Sequence, residues 1–219
     1  MRFLISSDAN STKDFLGFSG EDRQLPAVFG GTPANKTLSI NDALNAFDSG
    51  YNVNEAKSPI NTSMGILHSE KFLVGKNKNT FQYLFSLNFE NKYQYREGVD
   101  RFFNIGQGNY DNNLQNSQYK YITNTSGLVT LNYKTDRLDL SSNTFYLKST
   151  ENMIQDQLGY TNSATINNNG FIRMNQLTQS DLLNTQLFGT YKVSKDERKN
   201  IKAGISFTKT GFQLPDRKS

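Results

Sequence analysis

Few side chains in this sequence could do chemistry. His68 is the only histidine and cysteine is absent. Disulfide scaffolds, thiolate zinc sites and cysteine nucleophiles are thereby excluded, and neither a histidine metal site nor a Ser-His-Asp triad is expected. Gly106-Gln107-Gly108-Asn109 contains G-x-G but lacks a third glycine and a following helix, so it falls short of a nucleotide-binding fingerprint. Asp111, with Asn109, Asn112 and Asn113, is rich in oxygen and could attract Ca²⁺. It lacks the spaced acidic ligands and bidentate Glu of a calcium loop, so a solvated loop is the simpler expectation. Asp14, Glu21 and Asp22 are acidic without a partnering base. Lys195, Arg198, Lys199 and Lys202 flank a short turn without the interleaved aromatics of a nucleic-acid site, so no nucleic-acid partner is expected. The sequons at Asn10, Asn35, Asn61 and Asn124 are expected by chance in so Asn-rich a chain. Arg96, Arg101, Phe102, Phe103 and Tyr110 could stack on or pair with a ligand, or pack over the mouth of the fold. No catalytic, cofactor-binding or metal-ligating residue is nominated, and enzyme activity is not expected.

The elements that must position these residues are β-strands. Of 219 residues, 35% are apolar, yet 16 are Phe and 11 are Tyr, with 27 Asn. This is too polar for a deep aliphatic core and too aromatic for disorder. No apolar run reaches the length of a transmembrane helix, but alternating strands escape such a count. The net charge of +4 is mild.

Phe81, Tyr83, Phe85, Leu87, Phe89, Tyr93 and Tyr95 share one parity, interrupted only by Asn91. Gln82, Leu84, Ser86, Asn88, Glu90, Lys92, Gln94 and Arg96 share the other. Period two sends the two sets to opposite faces of one strand about 16 residues long, against a usual 5 or 6. Residues 119–133, 183–193 and 201–207 repeat the pattern, and 64–74 and 138–148 are extended with mixed parity. Short polar turns at 75–78, 134–137 and 194–199 alternate with long connections at 9–63, 98–117 and 150–178. Ser39, Asp42, Ala43, Leu44, Ala46 and Gly50 fit a short capped helix inside the first of these. Long structureless loops are uncommon in soluble domains, whereas outer-membrane barrels alternate short periplasmic turns with long extracellular loops. Tyr119 and Tyr121 at one end of a strand and Tyr133 at the other are about 40–46 Å apart, enough for two aromatic girdles around a tilted apolar band. A soluble antiparallel sheet with one wet face would also alternate. The expected fold is all-β, an antiparallel transmembrane β-barrel segment.

Three stretches carry a family resemblance. They are Phe171-Ile172-Arg173-Met174-Asn175-Gln176-Leu177 continuing through Asp181-Leu182-Leu183-Asn184-Thr185-Gln186-Leu187-Phe188-Gly189 to Gln213-Leu214-Pro215-Asp216-Arg217-Lys218; Thr12-Lys13-Asp14-Phe15-Leu16-Gly17-Phe18 with Arg23-Gln24-Leu25-Pro26; and Leu73-Val74-Gly75-Lys76-Asn77 running on to Tyr93-Gln94-Tyr95-Arg96-Glu97. In their order the chain resembles TonB-dependent outer-membrane receptors of the Bacteroidetes type. The resemblance implies a 22-stranded barrel closed by a plug domain, located in a Gram-negative cell outer membrane. It also implies import of a scarce ligand such as a siderophore, cobalamin or glycan, driven by the TonB complex.

The sequence corresponds to about seven strands of such a barrel. Residues 1–8 would end the first strand, 9–63 form a long loop with a short helix, and 64–210 supply about six strands in hairpins. A plug, a TonB-contacting segment and a terminal aromatic strand have no counterpart here, and Met1 with Arg2, Phe3, Leu4 and Ile5 is too short an apolar opening for a signal peptide. The implied partners are outer-membrane lipid, the TonB complex through the missing plug, and an extracellular ligand. The alternative is a secreted or surface β-rich adhesin without transport. A soluble carbohydrate-active β-sandwich fares worse, because no paired carboxylates fall on neighbouring strands.

Overall fold

The computed structural model describes residues 2–6, 15–17, 39–41, 53–57, 60–161, 170–193 and 199–214. Eight strands account for most of them: β1 (Arg2–Ser6), β2 (Val53–Lys57), β3 (Thr62–Val74), β4 (Asn79–Asn104), β5 (Asn109–Lys134), β6 (Leu138–Tyr160), β7 (Gly170–Lys192) and β8 (Asn200–Gln213). Strands β3 to β8 form one six-stranded antiparallel sheet in sequence order, and β1 and β2 form a separate antiparallel pair. The all-β antiparallel expectation therefore holds. The strand at 1–8 does not join the large sheet but pairs with β2, so six strands and a two-stranded layer stand where about seven in one sheet were expected.

The turns follow local chemistry. Gly75 (φ 76°) and Lys78 (φ 49°) supply the left-handed backbone that closes the β3–β4 hairpin, with the Lys78 N–H donating to Gly75 O at 3.1 Å. Thr135 closes β5–β6: its Oγ1 accepts from the N–H groups of Arg137 (3.2 Å) and Leu138 (2.9 Å). At the opposite end Asn104 braces the β4–β5 turn. Its carbonyl accepts from Gly108 N at 2.9 Å, its Oδ1 from Gly106 N at 3.0 Å, and its Nδ2 donates to Asp111 at 3.0 Å.

The connections expected at 98–117 and 150–178 are largely strand. β4 and β5 run 26 residues each and are paired up to Asn104 and Asn109, while β6 and β7 run 23 each. Backbone pairing does not need an apolar side, so Asn-, Gln- and Ser-rich stretches can continue a ladder already in register. A register shift between Phe102 and Phe103 interrupts the alternation at the tip of the β4–β5 hairpin. Of the helix expected at 39–50, residues 42–50 lie outside the described residues, as does most of the turn at 194–199.

Registers carry β4's two parities across the sheet. One face holds Phe81, Tyr83, Phe85, Leu87 and Phe89; their partners include Tyr133, Leu131, Val129 and Gly127 of β5, then Leu140, Thr144 and Tyr146 of β6. The opposite face holds Gln82, Leu84, Ser86, Asn88 and Glu90, with Asn132, Thr130, Leu128, Ser126 and Asn124 beside them. The fold's small core lies farther along the first face, where β1 rests on β5 and β6. Phe3, Leu4, Tyr121, Ile154 and Leu177 are buried there, at the end of the sheet away from the three short turns.

Candidate functional site

Two surfaces of the large sheet stand out. The first is an exposed apolar band. Met64, Ile66, Phe72, Phe85, Leu87, Val129, Leu131, Leu187, Ile205 and Phe207 all lie on one face and are all solvent-exposed, Ile205 to 70%. Aromatic rings cluster at its short-turn end, where Phe72 stacks on Phe81 at 6.5 Å and on Tyr83 at 6.0 Å. On β4 the band spans residues 81–89, about 26 Å along the strand and about 20 Å in height at a tilt near 40°.

The upper edge of the band runs obliquely. Starting from Phe89, the cross-strand partners are Met64 on one side, then Thr125, Lys148, Asp181 and Gly211 on the other. Polar character thus begins at Thr62 on β3 and Asn91 on β4, but already at Lys148 on β6 and Lys209 on β8. The edge descends by about four residues across five strand spacings, roughly 13 Å in 24 Å, an angle near 30° to the rows. On β3 His68 and Glu70 interrupt the band in rows that hold Phe207 and Ile205 on β8, and Phe72 and Val74 resume it toward the turn.

The opposite face is mixed at the level of the band, with Leu67, Leu84, Leu128 and Phe145 among Ser, Asn, Gln and Thr, and becomes polar and charged at the band's upper edge. Lys92 pairs with Glu90 at 2.7 Å, Asn124 donates to Glu90 at 3.3 Å, Ser149 donates to Asn124 at 2.7 Å, and Lys120 pairs with Glu151 at 2.6 Å. Lys92, Glu90, Asn124 and Ser149 form a hydrogen-bonded chain across three strands, and Lys120–Glu151 is a separate pair beside it.

Beyond the band, the first face is covered. Asn91, Thr123, Thr150 and Gln179 are successive cross-strand partners and all are buried. The carbonyls of Phe15 and Gly17 rest on this row. Phe15 O accepts from Tyr121 (3.3 Å) and Thr123 (3.4 Å); Gly17 O accepts from Thr150 (3.0 Å) and Gln179 (3.5 Å). Phe3 of β1 meets Tyr93 and Tyr119 edge-on at 5.5 and 5.6 Å, and Tyr93 stacks on Tyr121 at 4.7 Å. Burial, then the neighbouring Tyr121 hydroxyl, raises the Tyr93 pKa well beyond the phenol range. Burial also raises that of Tyr119, helped by Tyr95 and Asp156. Tyr119 and Tyr121 were expected in a lipid-facing girdle; Tyr121 lies instead beneath the turn at Phe15, and Tyr119 against Phe3. One layer out, Arg173 grips Asp156 through two bonds of 2.6 Å, and this hydrogen bonding holds the guanidinium pKa above its usual value.

The other candidate residues are scattered. Arg101 donates to Asn113 at 2.9 Å and lies 5.8 Å over the Tyr110 ring, while Phe103 meets Tyr110 edge-on at 5.2 Å. Phe102 is exposed, and Arg96 points from the polar face. Asp111 and Asn113 engage Asn104 and Arg101, and no cluster able to hold a metal forms among the described residues. Gly106 and Gly108 sit in a hairpin turn followed by strand. His68 Nδ1 bonds the Tyr83 hydroxyl at 2.9 Å. Asn61 Oδ1 accepts from Tyr93 N at 2.7 Å. Asp14, Glu21, Asp22, Asn10, Asn35, Lys195 and Arg198 lie outside the described residues. The covered row was missed because its residues are short, uncharged and spread over four strands; only the interruption at Asn91 marked it.

No helix among the described residues is long and apolar enough to cross a membrane, which has no bearing on strands. Comparison with protein-family models, curated proteins and solved structures finds no match.

Proposed function

We propose that the chain is a segment of an outer-membrane β-barrel receptor of the TonB-dependent kind, with its apolar band against lipid and its polar face toward a wet lumen. The observation that carries this is the exposed apolar band, whose upper edge runs oblique to the rows of the sheet. A level lipid layer crosses tilted barrel strands at a slant, and strands of such barrels tilt by about 35–45°. Exposed apolar patches on soluble monomers rarely extend so far. Uptake of a scarce ligand such as a siderophore, cobalamin or glycan would be a property of a complete barrel with its plug, energised by the TonB complex. The ligand would be met by the strand extensions that rise beyond the band, which carry Arg96, Arg101, Phe102, Phe103 and Tyr110.

A second reading is a surface β-rich adhesin without transport. It is favoured by the covered end of the sheet, which is packed as an ordinary two-layer β structure. The two readings separate in a labelling experiment on single-cysteine variants in a chain that has no cysteine of its own. With the protein directed to a Gram-negative envelope, Leu131→Cys and Leu187→Cys should react with a lipid-soluble maleimide and resist a membrane-impermeant one. Asn132→Cys and Gln186→Cys should do the opposite. Equal aqueous labelling at all four positions, or a soluble and monodisperse protein without detergent, would overturn the membrane reading.

A further inference from the structure

We infer that the short-turn end of the large sheet is a basic rim that docks on the phosphates of anionic phospholipid headgroups; the inference rests on the membrane reading of the apolar band. Three observations carry it. First, the positive charge of the chain is gathered there. Counting each turn with three flanking residues on either strand, the β3–β4 hairpin carries Lys76 and Lys78, and β5–β6 carries Lys134 and Arg137 against Asp136 and Asp139. The β7–β8 hairpin carries Lys192, Lys199 and Lys202, while Lys195 and Arg198 are cancelled by Asp196 and Glu197. The net charge of this end is +5, more than the +4 of the entire chain. At the far end, from the row Arg96–Gln118–Gln155–Met174 outward, three arginines meet four carboxylates.

Second, these charges stand at one level. The ladders end at the pairs Val74–Asn79, Lys134–Asp139 and Lys192–Asn200, which the registers place within two residues of one another along the sheet, about 7 Å. The hairpins cover six adjacent strands, five spacings or about 24 Å. Lys76, Lys78, Lys134, Arg137, Lys199 and Lys202 are exposed, and Lys192 is half-buried. Third, the rim borders the apolar band directly. The Phe72, Phe81 and Tyr83 rings cluster beside it, and Val74, Tyr191 and Ile201 are exposed on the band's own face at its edge. Aliphatic side chains, then aromatic rings, then ammonium and guanidinium groups follow the order in which a membrane passes from hydrocarbon to headgroup. An anionic membrane surface attracts each such charge. Continuity with the band selects a lipid phosphate over a free one, since a soluble anion gains nothing from the apolar border.

Vesicle flotation of the full chain, diluted from urea, tests this. The probes are phosphatidylcholine vesicles with and without phosphatidylglycerol. At low salt the anionic lipid should raise the apparent affinity at least tenfold, and high salt should remove the gain. A variant with Lys76→Gln, Lys78→Gln, Arg137→Gln and Lys199→Gln should bind phosphatidylcholine as the parent does and show no such gain. Arginine at the three lysine positions should keep it. Three results would overturn the inference while leaving the membrane reading in place: no gain from phosphatidylglycerol, an equal gain in the glutamine variant, or loss of the gain in the arginine variant, which would assign the positions to turn structure rather than charge. Failure of the parent to bind vesicles of either composition would instead remove the membrane reading, and the rim with it.

Discussion

A single lysine on each face of the sheet separates lipid from water by magnitude. Val129 lies in the middle of the apolar band, between Phe85 and Thr144, and is 39% exposed. A lysine on the lipid face of a barrel strand near the midplane costs about 2–4 kcal/mol. At about 1.4 kcal/mol per decade, that lowers the folded-to-unfolded ratio by roughly 30- to 700-fold. On a soluble sheet the same exposed position would tolerate lysine within about 0.5 kcal/mol. Ser126 of β5, three residues away on the opposite face, is the control. Ser126→Lys should stay within about 0.5 kcal/mol, because its ammonium reaches water. The assay is reversible folding into lipid vesicles, titrated with urea and followed by gel mobility and circular dichroism. If Val129→Lys is neutral, or if Ser126→Lys is the costlier of the two, the assignment of faces is wrong.

Other perturbations address the covered end. Leu177→Ala should cost about 2–5 kcal/mol, since Leu177 is 1% exposed; hydrogen exchange at β1 should accelerate with it, and an unchanged exchange rate would contradict the packing. Raising the pH should loosen the same region. The Tyr93 pKa is higher folded than unfolded, so its contribution is fully present below about pH 10 and is lost above it. The protection factors of β1 amides, taken against the base-catalysed intrinsic rate at each pH, should therefore fall only above about pH 10, and Tyr93→Phe should flatten that fall. Asn104→Ala removes two side-chain bonds at the β4–β5 turn and should destabilise the hairpin tip by about 1 kcal/mol. That change should appear as faster exchange confined to residues 100–113.

Alternation alone located the strands of the band, and on β4 and β5 it also assigned their two faces; on β3 and β6, where parity is mixed, only the registers did. From Phe81 to Phe89 every residue of one parity is apolar and only Leu84 breaks the other, and period two leaves no freedom about which side chains travel together. The turns at 75–78 and 134–137 were equally legible, because Gly75 and Thr135 act on their immediate neighbours. Three things were decided only by tertiary structure. The strands continue through 98–104 and 109–117 because a backbone ladder propagates from a partner already in register, whatever the side chains prefer. β1 pairs with β2, some fifty residues on, a choice that local pattern does not encode. Tyr119 and Tyr121 could serve a lipid boundary or a core with equal aptness, since a tyrosine ring and hydroxyl suit both. Phe3, arriving from the far end of the chain with the carbonyls of Phe15 and Gly17, made this end of the sheet a covered polar–aromatic row. Its members, Asn91, Thr123, Thr150 and Gln179, are separated by 27 to 32 residues in sequence and become neighbours only through the registers of three strand pairs.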